Sequence, residues 1–118
     1  MTGMMPDKTK EEYEKLFVYG IFLGEGMRNA YEMKNPSYST VPQYVTVGEG
    51  IVQAVKVDAK GVALTGLLVD VPKSVWPRLD RLETGYSRVR VKTHGNTTAF
   101  MYAVANDGGY NHSTVKSY

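Results

Sequence analysis

The stretch Val62-Ala63-Leu64-Thr65-Gly66-Leu67-Leu68-Val69 constrains this chain more than any other, because it offers no polar face. A strand of alternating polarity can lie with one side in water, whereas one this continuously apolar must be covered on both. The turn cluster Asp58-Ala59-Lys60-Gly61 leads into it, and Val52 to Val57 before that cluster sets Val55 and Val57 against Lys56 and Asp58. The two segments read as an antiparallel hairpin whose second strand is central to a sheet.

Other segments supply the neighbours such a strand needs. Leu16-Phe17-Val18-Tyr19 reads as a buried first strand that opens at Gly20 into a loop carrying Gly24 and Gly26. Gly26 to Tyr31 suits a short helix, Asn35-Pro36-Ser37-Tyr38-Ser39 reads as a break built of turn residues, and Tyr44 to Val47 is strand-like. After Pro72, Ser74 is placed to cap a helix with Pro77 in its first turn. Val75, Leu79 and Leu82 share one face of it and Arg78 and Arg81 the other, over about three turns ending at Thr84-Gly85. Arg88-Val89-Arg90-Val91-Lys92 and Ala99 to Ala105 then form a hairpin turned at His94-Gly95-Asn96. The expected architecture is α+β: a small, β-barrel-like mixed sheet with one principal helix. Residues 1–15 read as a charged extension, 16–105 as the domain, and 106–118 as a polar tail or flap.

With 118 residues and no cysteine, a single domain must hold together by packing alone. The absence of cysteine favours a reducing compartment, and the N-terminus lacks the apolar core of a signal peptide, so the expected location is cytoplasmic. No apolar run approaches the roughly 20 residues of a membrane span, which sets membrane partners aside. Fourteen basic and twelve acidic residues give a net charge of +2 with no Lys/Arg block, which sets aside nucleic-acid polymers. His94 and His112 have no neighbours at ligand spacing, so no metal and no cofactor are expected. The Gly20, Gly24, Gly26 cluster lacks the Lys-Ser/Thr of a P-loop and the third glycine of a dinucleotide fingerprint.

Several short words occur together and in order. Phe17-Val18-Tyr19-Gly20-Ile21-Phe22-Leu23 is followed by Gly26-Met27-Arg28-Asn29, then Leu64-Thr65-Gly66-Leu67-Leu68, Leu79-Asp80-Arg81-Leu82-Glu83 with Tyr86-Ser87-Arg88, and Ala99-Phe100-Met101-Tyr102. In this order they resemble the γ-glutamylcyclotransferase-like (AIG2-like) family. The resemblance implies that Glu83 is the acid/base and that backbone N–H groups of Tyr19, Gly20, Ile21, Phe22 and Leu23 line a pocket for a small anionic molecule. It implies cleavage of γ-glutamyl amines or peptides by attack of the substrate's own α-amine, releasing 5-oxoproline. Ile21, Phe22 and Leu23 depart from the family's usual Thr/Ser-Leu-Arg. That departure supports a second reading, in which a non-catalytic pocket binds or sequesters an anionic metabolite or signalling nucleotide.

The blander alternatives are equally concrete. Glu83 alone is a solvated helix-end carboxylate; repulsion with Asp80 one turn earlier would raise one of the two pKa values, and desolvation in an apolar pocket would push Glu83 the same way. Tyr19, Tyr86 and Tyr102 are ligand hydrogen-bonders or core rings. Arg28 and Arg88 are bidentate anion binders or solvated surface groups. Trp76 is a core or rim anchor, and the nine tyrosines leave a homo-oligomer or a tyrosine-rich interaction surface open.

Overall fold

The computed structural model describes residues 12–47, 53–56 and 63–104. Its strands are β1 Tyr13–Val18, β2 Lys34–Pro42, β3 Tyr44–Val47, β4 Gln53–Lys56, β5 Ala63–Pro72, β6 Tyr86–Lys92 and β7 Thr98–Val104. Two helices, α1 Glu25–Ala30 and α2 Trp76–Leu82, each follow a 3-10 turn, Gly20–Leu23 and Lys73–Val75 respectively.

The apolar run builds β5, which lies inside a five-stranded sheet of order β2-β5-β1-β7-β6. Both of its faces are covered. Leu67, Val69 and Val71 point to a core shared with Leu16, Val18, Val75 and Leu79, beneath α2. Leu64 and Leu68 point to a second core, with Phe17, Val41, Met101, and Tyr44 and Ala54 of the β3–β4 ribbon. Strand β1 is likewise two-sided, paired antiparallel to β5 and parallel to β7 at Leu16 and Phe100. Gly66 is the point of closest approach: a Cβ there would lie 2.8 Å from the Phe17 ring and strike the Val18 carbonyl oxygen.

Asp70 ties three strands together. Burial works to raise its carboxyl, but hydrogen bonds from Lys15 of β1 at 2.7 Å and Asn35 of β2 at 2.8 Å outweigh it and hold the pKa below the ordinary aspartate value. At the far end, the His94 N–H donates to the Thr40 carbonyl at 2.9 Å and the two side chains also bond, drawing β2 toward the turn after β6. The sheet therefore curls toward closure, as a barrel-like α+β architecture requires.

Four sequence expectations are corrected. Strand β4 does not pair with β5; it pairs with β3, Val45 facing Val55, while β5 takes β1 and β2 as its partners. Residues 35–39 are strand, because an edge position and a register shift between Lys34 and Ser37 accommodate Pro36 and the left-handed Asn35 (φ 56°). The first strand starts at Tyr13, within the stretch read as an extension. Helix α2 has seven residues; Ser74 sits inside the preceding 3-10 turn, the N-cap residue is Val75 with no side-chain cap, and Leu82 is 41% exposed. The turn 58–61, His112 and the tail 106–118 lie outside the described residues. No helix among the described residues is long and apolar enough to cross a membrane.

Candidate functional site

Helix spacing explains how Glu83 comes to point inward. Val75, Leu79 and Glu83 follow one another at intervals of four, so the carboxylate continues the buried stripe that Leu82, at an interval of three, leaves. Glu83 is the C-cap residue of α2: its N–H donates to the Leu79 carbonyl and its carbonyl accepts the Tyr86 N–H, both at 2.9 Å. Gly85, at φ +97°, allows the chain to reverse into β6.

The side chain reaches a small cavity of about 20 Å³ walled by Val18, Tyr19, Phe22 and Tyr102. Burial pushes the Glu83 pKa above the ordinary glutamate value. Of the two causes expected from the sequence, desolvation is the one that acts, and repulsion from Asp80 is not. Asp80 is occupied with other partners, accepting the Tyr102 hydroxyl at 2.6 Å and facing the Arg88 guanidinium at 3.7 Å.

The opposite wall is the turn after β1. Tyr19 is extended, and Gly20 at φ +69° lets the chain leave the sheet abruptly, a conformation an L side chain resists. Within the turn Phe22 is buried and meets Tyr31 edge-on at 5.6 Å, while Ile21 and Leu23 are 58% and 48% exposed. Arg28 of α1 donates to the Phe22 and Leu23 carbonyls at 3.0 and 2.7 Å, capping the turn in the way a basic side chain caps a helix end.

The tyrosines hold the frame together. Tyr19 donates its hydroxyl to the Tyr102 carbonyl at 2.6 Å and accepts the Ala54 N–H at 2.9 Å, joining β7 to β4 across the barrel. Burial, first among the causes, raises both the Tyr19 and Tyr102 pKa values far above the ordinary phenol range, so both are neutral at physiological pH. Tyr86 lies near enough to Tyr19 to affect its charge. Arg88 is stacked 4.3 Å over Trp76 and 5.3 Å from the Phe100 ring.

The structure thus gathers Glu83, Tyr19, Phe22 and Tyr102 at one cavity, with Tyr86 close by. Gly20 and Leu23 join Tyr19 along a separate open groove of about 530 Å³ that runs past Val45 and Leu64. Arg28 and Arg88 are engaged with protein groups. Sequence reasoning missed the Ala54 amide, since a backbone donor has no residue signature. It also missed Asp80 as an acceptor, although its placement one turn before an inward carboxylate was a usable signal. Among the described residues no cluster of acidic and histidine side chains could hold a metal.

The family model described as gamma-glutamyl cyclotransferase, AIG2-like, matches residues 16–117. No curated protein matches. Among solved structures, an Arabidopsis thaliana protein superposes with a TM-score of 0.69 at 17% identity, over 90% of this chain and 75% of its own. A mouse AIG2-like protein gives 0.66 at 20%, over 86% and 82%, and a gamma-glutamyl cyclotransferase gives 0.62 at 17%, over 80% and 68%. At these identities the superpositions establish the fold, and the family match spans nearly all of the sequence from the first core strand onward. The chain belongs to the γ-glutamyl cyclotransferase, AIG2-like family.

Proposed function

We propose that the chain is a cyclotransferase that releases 5-oxoproline from γ-glutamyl amines or peptides, with Glu83 as acid/base. The observation that carries this reading is a single carboxyl driven into an apolar cavity against the Gly20–Leu23 turn, with its pKa raised by burial. In the reaction the substrate's α-nitrogen attacks its own γ-carbonyl carbon, forming the ring C–N bond while the bond to the leaving nitrogen breaks. The Glu83 carboxylate takes the proton the attacking amine loses and returns it to the departing amine. A carboxylate of raised pKa is the stronger base for the first transfer and still regenerates in the second.

The cavity itself is no larger than a water molecule, too small to enclose a γ-glutamyl head as it stands. The sequestering alternative would have to hold its anion on backbone N–H groups of the Gly20–Leu23 turn. Arg28 and Arg88 are committed to carbonyls and to Asp80, and the groove's described walls carry no charge.

The test is 5-oxoproline formation over a panel of γ-glutamyl amides and peptides. Glu83→Gln keeps the shape and loses the titratable proton, so kcat should fall by roughly 10²- to 10⁴-fold with little change in binding. No 5-oxoproline from the wild type on any substrate, with a nucleotide or other anion bound tightly by both proteins, would replace this reading with the sequestering one.

A further inference from the structure

Glu83 shares its cavity with a phenol that serves another carboxylate. Tyr102 and Glu83 line the same space and are close enough for the charge on one to act on the other. Yet the Tyr102 hydroxyl donates to Asp80 Oδ1 at 2.6 Å. The second Asp80 oxygen faces Arg88 Nη2 at 3.7 Å, and Arg88 is itself stacked against Trp76 and Phe100. The Tyr102 ring is buried and its carbonyl is held by Tyr19, which fixes where the phenol oxygen lies.

A phenol has one proton to donate, and a hydrogen bond given to a carboxylate stabilises its ionised form. We propose that Asp80 is a positioning residue for Glu83: by holding the Tyr102 hydroxyl on its own Oδ1, it keeps that donor away from the Glu83 carboxyl. Burial then remains the governing influence on Glu83. Two other groups near it, Tyr19 and Arg88, are likewise held by partners of their own. The Tyr19 hydroxyl, from the end of β1, lies between the Tyr102 carbonyl and the Ala54 N–H. Tyr86 of β6 acts on Tyr19, and Arg88 of β6 compensates the charge of Asp80. The kinetic meaning of the arrangement rests on the cyclotransferase reading; the protonation of Glu83 does not.

The experiment follows the Glu83 side-chain carboxyl by ¹³C NMR through a pH titration of the whole chain. Asp80→Ala and Asp80→Asn remove the same charge, but only alanine removes the acceptor. The midpoint in Asp80→Ala should lie about one pH unit below that in Asp80→Asn, and adding Tyr102→Phe to Asp80→Ala should restore it. Tyr102→Phe by itself should leave the wild-type midpoint in place, since it deletes a hydroxyl that Glu83 does not use. Equal midpoints in the Ala and Asn variants overturn the proposal. A higher midpoint in Tyr102→Phe also overturns it, because the hydroxyl would then have been bonded to Glu83 already. That second measurement leaves Asp80 intact and can overturn the proposal even if Asp80→Ala does not fold. Absence of 5-oxoproline from the wild type would remove the cyclotransferase reading while the midpoints still judged Asp80. With turnover present, the acid limb of kcat/KM should move with the midpoints in every variant.

Discussion

A carboxylate on a buried helix stripe has consequences for stability as well as chemistry. The folded-state pKa of Glu83 is raised above its unfolded value by burial. The folded state thus binds the proton more tightly, and the stability that binding contributes is fully present below the unfolded pKa and lost as pH rises through the folded one. Glu83→Gln carries no such charge. It should melt above the wild type at neutral pH, with the difference shrinking toward pH 4, as thermal melts across that range would record. Gly66 imposes a different constraint. An alanine methyl would be driven into the Val18 carbonyl and the Phe17 ring, and a backbone carbonyl in a central strand has little room to retreat. Gly66→Ala should cost about 3 kcal/mol or more by chemical denaturation, at the upper end of overpacking effects.

Among the elements, α2 gives the sharpest contrast. Leu79 is fully buried and Leu82 is 41% exposed, though both looked equivalent on an amphipathic stripe. Leu79→Ala should cost on the order of 2–5 kcal/mol, whereas Leu82→Ala should stay within about 0.5 kcal/mol. The reason for the mismatch shows what was readable in the chain. Hydrophobic periodicity identified the helix and the β6–β7 hairpin, because those are local patterns with turn chemistry at His94-Gly95-Asn96. The length of α2 depended on tertiary fit, since a helix stops where Glu83 must turn into the cavity. Pairing of β4 with β3 was not legible, because Val55 and Val57 suit either neighbour and partner choice is settled across the barrel. The Asn35-Pro36 stretch carried every mark of a turn, and only the sheet edge made it a strand. Glu83 itself was reached through the L-D-x-x-E word; its direction was present all along in the four-residue spacing from Leu79.

At the scale of the whole molecule, the strand order links the two ends of the described chain. Strand β1 lies between β5 and β7, so the domain cannot complete its sheet without residues 98–104. A chain truncated after Thr97 should lose cooperative thermal unfolding altogether, because β1 would keep an open hydrogen-bonding edge and both cores would lose Met101 or Tyr102. The same order bears on biosynthesis. The most deeply enclosed strand is the first of the sheet to leave the ribosome, and its parallel partner is the last. At roughly 5–20 residues per second, Leu16-Phe17-Val18 spends on the order of ten seconds without the neighbour that finally encloses it. Those three side chains therefore stay exposed on the nascent protein until residues 98–104 have been made.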